Sequence, residues 1–238
     1  MKLRHRTILL KLAGPLALGS MSTMVMGLVD TAIVGHAGVG QLAGVAAGAA
    51  IFAVVSQVLA ASTVGYEIEA AEHVGVGNHD AAEVSLASAA KFTVGAAIIL
   101  ATLLAAISMV ATRSIFHGNV GVVAGHWLQI RSIGLPIFAA SLLVEITFDV
   151  QMKTGITAGI VVLSNLINGV LTWMLVFGVG PFPRLGASGS AIGSVLAEVC
   201  GLGALLAMSF AKSRVQLRWQ KARWQIARGQ ASLSAPEI

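Results

Sequence analysis

Asp30 is the only acid in the first 66 residues, and it lies near the end of a long apolar run, within GLVDTAIVGHAG (27–38). It belongs to a pattern. Ser20, Thr23, Gly27, Asp30 and Val34 follow i, i+3, i+7, i+10 and i+14, which is one stripe of a helix. Three further stripes recur downstream. Ser141, Glu145 and Asp149 are spaced by four, as are Ser164, Asn168 and Thr172, with Asn165 beside them, and so are Ser190, Ser194 and Glu198. In hydrocarbon, burying one charge costs at least about 2.5–3.5 kcal/mol. Polar faces in such surroundings turn towards a water-filled cavity or towards one another. A carboxyl held there has a definite chemistry. Desolvation favours its neutral form, and a nearby cation or hydrogen bond favours its anion. Balanced between the two, Asp30 can exchange a proton for Na⁺ or for a cationic substrate. Two plainer roles stand beside this one: Asp30 snorkelling to the outer interface, and the Ser, Thr and Asn groups joining helices by hydrogen bonds.

The elements that carry these stripes follow from composition. The 238 residues are 56% hydrophobic and 11% charged, against about 25% charged in an ordinary soluble domain, and mean hydropathy is +0.86. The apolar runs do not alternate as barrel strands do, and each is near the ~20 residues that a helix needs to cross ~30 Å of hydrocarbon. The chain is therefore expected to be an all-α integral membrane protein with six spans, at about residues 12–34, 42–66, 92–112, 127–150, 155–179 and 186–210. Residues 1–11 form an N-terminal segment and residues 211–238 a basic tail. The opening MKLRHRTILLKLAGPLALG has the basic start of a signal peptide, but its apolar stretch runs on without a clear cleavage motif, so it reads as a retained first span. Small pairs four apart, Gly44/Gly48 and Gly155/Gly159, are expected to let helices pack closely.

Orientation follows from Lys and Arg. With the N-terminus inside, twelve of them (Lys2, Arg4, Arg6, Lys11, Lys91, Lys153 and six in the tail) are internal, and three (Arg113, Arg131 and Arg184) are external. The positive-inside rule then puts both termini in the cytoplasm. The net charge of +5 follows from this topology and does not signal nucleic acid. The segment EIEAAEHVGVGNHDAAEVS is the longest polar connection, with a turn expected at GVGN and an amphipathic helix lying on the membrane from His79. The tail interleaves basic residues with Trp219 and Trp224, a pattern suited to anionic lipid. Cys200 is the single cysteine, so no disulfide forms within the chain, and the six histidines show no metal-ligand spacing. No nucleophile–base pair or phosphate loop suggests an enzyme.

Three stretches resemble the multidrug and toxic compound extrusion (MATE) transporters. LAGPLALGSMSTMVMGLVDTAIVGHAG is similar to their first helix, RSIGLPIFAASL to their fourth, and SNLINGVLTWMLVFGVGPFPRLGASGSAIGSVLAE to their fifth and sixth. The resemblance implies a six-helix bundle equivalent to one of two lobes, in a cell membrane such as the bacterial inner membrane. It also implies export of amphipathic drugs or organic cations in exchange for H⁺ or Na⁺, with no other cofactor. By the same resemblance Asp30 is the coupling acid, Asn168 lies near it, Pro15 is linked to bending of the first helix, and Ser190 stands where a hydroxyl often completes the cluster. Asn165 joins these as a polar neighbour. Where many members carry a second Asp, this chain has Thr172; where they often have a glycine-rich turn after the fourth helix, it reads DVQMKTG with Asp149 in place of a positive charge. Leu233–Pro236 echoes Leu12–Pro15, so the chain is expected to end as a second repeat begins. Its partner would then be a second lobe, either a copy of itself or another chain. Two alternatives remain: a flippase for lipid-linked substrates from the same wider superfamily, which would need a strongly cationic cavity, and a membrane fragment that does not transport.

Overall fold

The computed structural model describes residues 2–110 and 118–211, with side chains over 13–110 and 118–210. Among the described residues seven helices form: α1 (Lys2–Ala37), α2 (Val39–Ser62), α3 (Val64–Gly75), α4 (His79–Val110), α5 (Asn119–Asp149), α6 (Thr154–Phe177) and α7 (Ala187–Ala211). There is no strand among the described residues. Among the described residues six helices or helix pairs are long and apolar enough to cross a membrane. Their outward faces carry Met24, Leu28, Phe92, Ile99, Ile133 and Leu166, all well exposed. So much apolar surface is costly in water and costs nothing against lipid tails, so the chain is a multi-pass membrane protein.

The long polar connection is helical on both sides of the turn expected at GVGN, and this corrects the expectation of a separate surface helix from His79. Helix α3 continues α2 past Thr63, whose N–H bonds back to the Ala60 and Ala61 carbonyls. Together they run 37 residues, about 55 Å at 1.5 Å per residue, so the end bearing Glu67, Glu69 and Glu72 extends beyond a ~30 Å core. The chain turns at Val76–Asn78, with Gly77 at φ +76. Asn78 Oδ1 then accepts from the N–H of Ala81 and caps α4. From His79 the chain is part of α4 itself, because its apolar face continues without a break into the span and packs on α3 and α5.

The core lies where α2, α4, α5 and α7 meet, around Phe52, Leu59, Leu104, Leu128, Leu135 and Ala191. Close approach is set by glycines. A Cβ at Gly44 would stand 2.4 Å from Val123 Cγ1, and one at Gly48 would stand 3.0 Å from Trp127 Cε3. The other expected pair, Gly155 and Gly159, has nothing within 4 Å. Its place is taken by Gly189 and Gly193 of α7, which rest directly on the α6 backbone at Leu175 and Thr172. Helix α1 is the peripheral element, packed mainly on α6 and more lightly on α2. At the start of α7, Gln41 Oε1 accepts from the N–H of Ala187 at 2.7 Å, so a side chain of α2 satisfies a backbone donor that α7 cannot satisfy itself. The N-terminal side chains through residue 12, Arg113 and the basic tail, including the tail's lipid-facing role and the echo at Leu233–Pro236, lie outside the described side chains.

Candidate functional site

Four helices line an open cavity of ≈ 300 Å³. Helix α1 contributes Thr23, Met26, Gly27 and Asp30; α5 contributes Trp127 and Arg131; α6 contributes Ser164, Asn165 and Asn168; α7 contributes Ser194, Ala197 and Glu198. Helical periodicity explains the set. Residues three, four and seven apart share a face, so the stripes of α1, α6 and α7 all reach this cavity.

Asp30 is held from one side. Asn168 Nδ2 donates to Asp30 Oδ2 at 3.1 Å. The Thr172 hydroxyl donates to Asn168 Oδ1 at 3.2 Å, completing a relay of three polar groups. Each donor polarises the next, so the amide presented to Asp30 is a stronger donor than a lone one. The other carboxylate oxygen, Oδ1, is buried and has no hydrogen-bond partner. A hydrogen bond to a charged group contributes about 1.5–3 kcal/mol, and leaving a buried acceptor unpaired costs a similar amount. The site therefore holds Asp30 by one oxygen and keeps the other buried without a hydrogen bond. Asn165 lies farther along α6, where its Nδ2 donates to Ser22 Oγ at 3.0 Å and Thr23 Oγ1 at 3.3 Å. It binds α6 to α1, and these hydrogen bonds go to Ser22 and Thr23 and not to Asp30.

Ser190 belongs elsewhere. Its hydroxyl accepts from Trp127 Nε1 at 3.1 Å and donates to the Ala187 carbonyl at 2.9 Å. The Asp30 relay closes through Thr172, one helix away. Glu145 and Asp149 are also separate from Asp30. They line a second cavity of ≈ 210 Å³ with Pro15, Ser20 and Thr157, where the Thr157 hydroxyl donates to Asp149 Oδ1 at 2.7 Å. The stripe of α5 thus faces α1 at another level from the stripes of α6 and α7.

The largest departure concerns Arg131, counted on sequence as an outer cation. It lies inside the cavity and is 7% exposed. Its Nη2 donates to Glu198 Oε1 at 2.8 Å. Its guanidinium carbon sits 4.1 Å from the Phe52 ring centroid and 5.9 Å from that of Trp127, so two aromatic faces replace part of its hydration. Arg131 Nη1 and Glu198 Oε2, like Asp30 Oδ1, are buried without partners. The pattern that could have exposed this was the four-residue step from Trp127 to Arg131 on one face of an apolar span, matched by Glu198 in another. Without Arg131 the external count of Lys and Arg falls to two, so the charge asymmetry persists. Among the described residues no group of His, Cys, Asp and Glu is arranged to hold a metal ion.

Comparison with known proteins bears on this arrangement. Residues 15–174 match the model of the MatE family. The chain is 28% identical over 217 residues to a probable multidrug resistance protein NorM of Geobacillus kaustophilus, an alignment covering 88% of this chain and 48% of the relative. It is 30% identical over 219 residues to a protein of the same description from Thermotoga maritima, covering 90% and 46%. Its backbone is similar to the crystal structure of a eukaryotic MATE transporter, with a TM-score of 0.81 and 21% identity over 90% of this chain and 47% of the other. The chain spans about half the length of the curated relatives it matches.

Proposed function

The chain belongs to the MatE family of membrane transporters, and from that premise we propose that it binds an amphipathic organic cation at Asp30 and releases it in exchange for H⁺ or Na⁺, as one lobe of a drug-exporting antiporter. The observation that carries this reading is the divided environment of Asp30. One oxygen is fixed by the Thr172–Asn168 relay, the other is buried without a hydrogen-bond partner, and the residue lines a cavity between helices. A carboxylate so placed holds one cation at a time, and competition for one acceptor is what couples two opposed fluxes. Asn165 keeps α1 and α6 in register beside it, and Pro15 lies inside α1 where that helix lines the second cavity. A carrier needs a second wall to its cleft to alternate its access, and a second lobe, either another copy or another chain, would supply it. Both termini would lie in the cytoplasm of a bacterial cell, an orientation that the Lys and Arg distribution supports. A lipid-linked, polyanionic substrate fits less well, because two acids face one base in the main cavity.

The test is binding of tetraphenylphosphonium to the purified protein in lipid nanodiscs, with and without Asp30→Asn. The wild type is expected to bind, with competition from H⁺ or Na⁺, and the variant to lose at least about tenfold in affinity, since the neutral amide has no charge to offer. Unchanged binding by a folded Asp30→Asn protein would refute the assignment. In liposomes, a pH gradient and a Na⁺ gradient imposed separately identify the coupling ion. Efficient export by this chain alone would overturn the one-lobe reading.

A further inference from the structure

The main cavity holds three charged side chains, and two of them cancel. Arg131 is joined to Glu198 at 2.8 Å, and both line the same cavity as Asp30. With Asp30 ionised, the walls therefore carry one net negative charge. The pair is expensive to keep. Burying two ions costs several kcal/mol each, and an apolar pair of similar volume is often as stable or more so. Nor is this pair fully satisfied, since Arg131 Nη1 and Glu198 Oε2 are both buried without partners. Yet the surroundings hold it tightly. Phe52 and Trp127 flank the guanidinium, and Gly134 leaves just enough room, since a Cβ there would stand 2.8 Å from Glu198 Oε2.

We propose that Arg131 and Glu198 set the charge selectivity of the Asp30 site. They fix the cavity at one net negative charge, so that it takes one positive charge and rejects dications. The proposal rests on the reading that Asp30 binds the transported cation. Arg131 acts through the field and not by contact with the ligand, and Glu198 keeps that field from cancelling Asp30.

The charge count makes the pair testable by compensation. Glu198→Gln leaves Arg131 facing Asp30 alone and brings the cavity to zero. Arg131→Gln leaves two carboxylates and brings it to minus two. The double variant restores minus one without either ion. Arg131→Lys keeps the original count. Binding of tetraphenylphosphonium and of a bis-phosphonium dication built from the same group is measured for each protein in nanodiscs, with monodispersity as the check on folding. Glu198→Gln is expected to lose about tenfold or more in monocation affinity although Asp30 is intact. Arg131→Gln is expected to favour the dication. The double variant and Arg131→Lys are expected to return to within about threefold of wild type. A purely structural pair predicts the opposite order, with the double variant no better than the singles. The proposal is overturned if folded Glu198→Gln binds as wild type does, or if the double variant folds and stays weak. Should Arg131→Gln fail to fold, the other three proteins decide. Wild type that does not bind tetraphenylphosphonium refutes the underlying transport reading and this proposal with it, whereas loss in Asp30→Asn with no response to the pair refutes this proposal alone.

Discussion

Gly193→Ala adds one methyl group to α7, and the structure says where it goes. The new Cβ would stand 2.9 Å from Thr172 N, 3.0 Å from Thr172 Oγ1 and 3.2 Å from Thr172 Cα. Two of those atoms are backbone and cannot turn aside, so α6 and α7 must part by about 0.5 Å to reach ordinary contact. Overpacking of this kind costs about 1–3 kcal/mol. Against it stands the gain of about 0.5–1 kcal/mol from replacing glycine inside a helix. Gly203 supplies the control. It lies in the same helix, yet a Cβ there meets nothing within 4 Å, so Gly203→Ala should collect the gain alone. The two variants should therefore differ by about 1–3 kcal/mol, or about 4–8 °C in thermal midpoint for a 2 kcal/mol difference in a chain of this size. The assay is thermal unfolding of both purified proteins in one detergent, followed by an intrinsic tryptophan signal. Because Thr172 donates to Asn168, which donates to Asp30, Gly193→Ala should also weaken cation binding, while Gly203→Ala should not. Equal midpoints for the two variants would refute the claim that α7 rests on the α6 backbone at this point.

Further outcomes follow from particular contacts. Met152 is the one non-glycine residue with positive φ (62°) among those described, and a left-handed backbone costs an L-residue about 1–2 kcal/mol; Met152→Gly should raise thermal stability by about 1 kcal/mol, measured as a shift in midpoint. Tyr66 meets Thr147 hydroxyl to hydroxyl at 3.0 Å, so Tyr66→Phe should cost about 0.5–1.5 kcal/mol and speed amide exchange where α3 leaves α5. Asp30→Asn should abolish the ion competition seen in tetraphenylphosphonium binding, and the Arg131–Glu198 cycle should restore monocation binding in the double variant.

Much of the architecture is legible in the sequence because lipid imposes a simple rule. A helix that spans hydrocarbon must be apolar over ~20 residues, so the six spans stand out in the composition. What is not legible is where each helix ends beyond the lipid. Helices α3 and α4 extend into water with Glu67, Glu69, Glu72 and Asp80 on them, and there polarity distinguishes a solvated helix poorly from a loop. In the cavity, periodicity finds the faces of α1, α6 and α7, since polar residues in hydrocarbon have few other places to point. It cannot find level. Glu145 and Asp149 share a stripe with Ser141, yet they meet α1 in a separate cavity, because which turns of two helices sit side by side depends on their crossing. Arg131 misleads for a related reason. A long basic side chain near a span reads as interfacial, and only the fold brings Glu198, Phe52 and Trp127 around it.

The bond between Asn168 and Asp30 joins residues 138 apart in sequence. Translation proceeds at about 5–20 residues per second, so Asp30 leaves the ribosome roughly 7–28 s before its partner exists. During that interval the first span must remain in the bilayer with a bare carboxyl group, a burden of about 2.5–3.5 kcal/mol on insertion scales. Gln41 waits longer still, since Ala187 follows it by 146 residues. The chain therefore inserts its first two spans on greasiness alone and acquires their polar partners only when the last two spans arrive. Substitutions that make α1 less apolar should lower the yield of inserted protein before they affect the finished bundle, and a quality-control protease would meet α1 at its most vulnerable while synthesis is still under way.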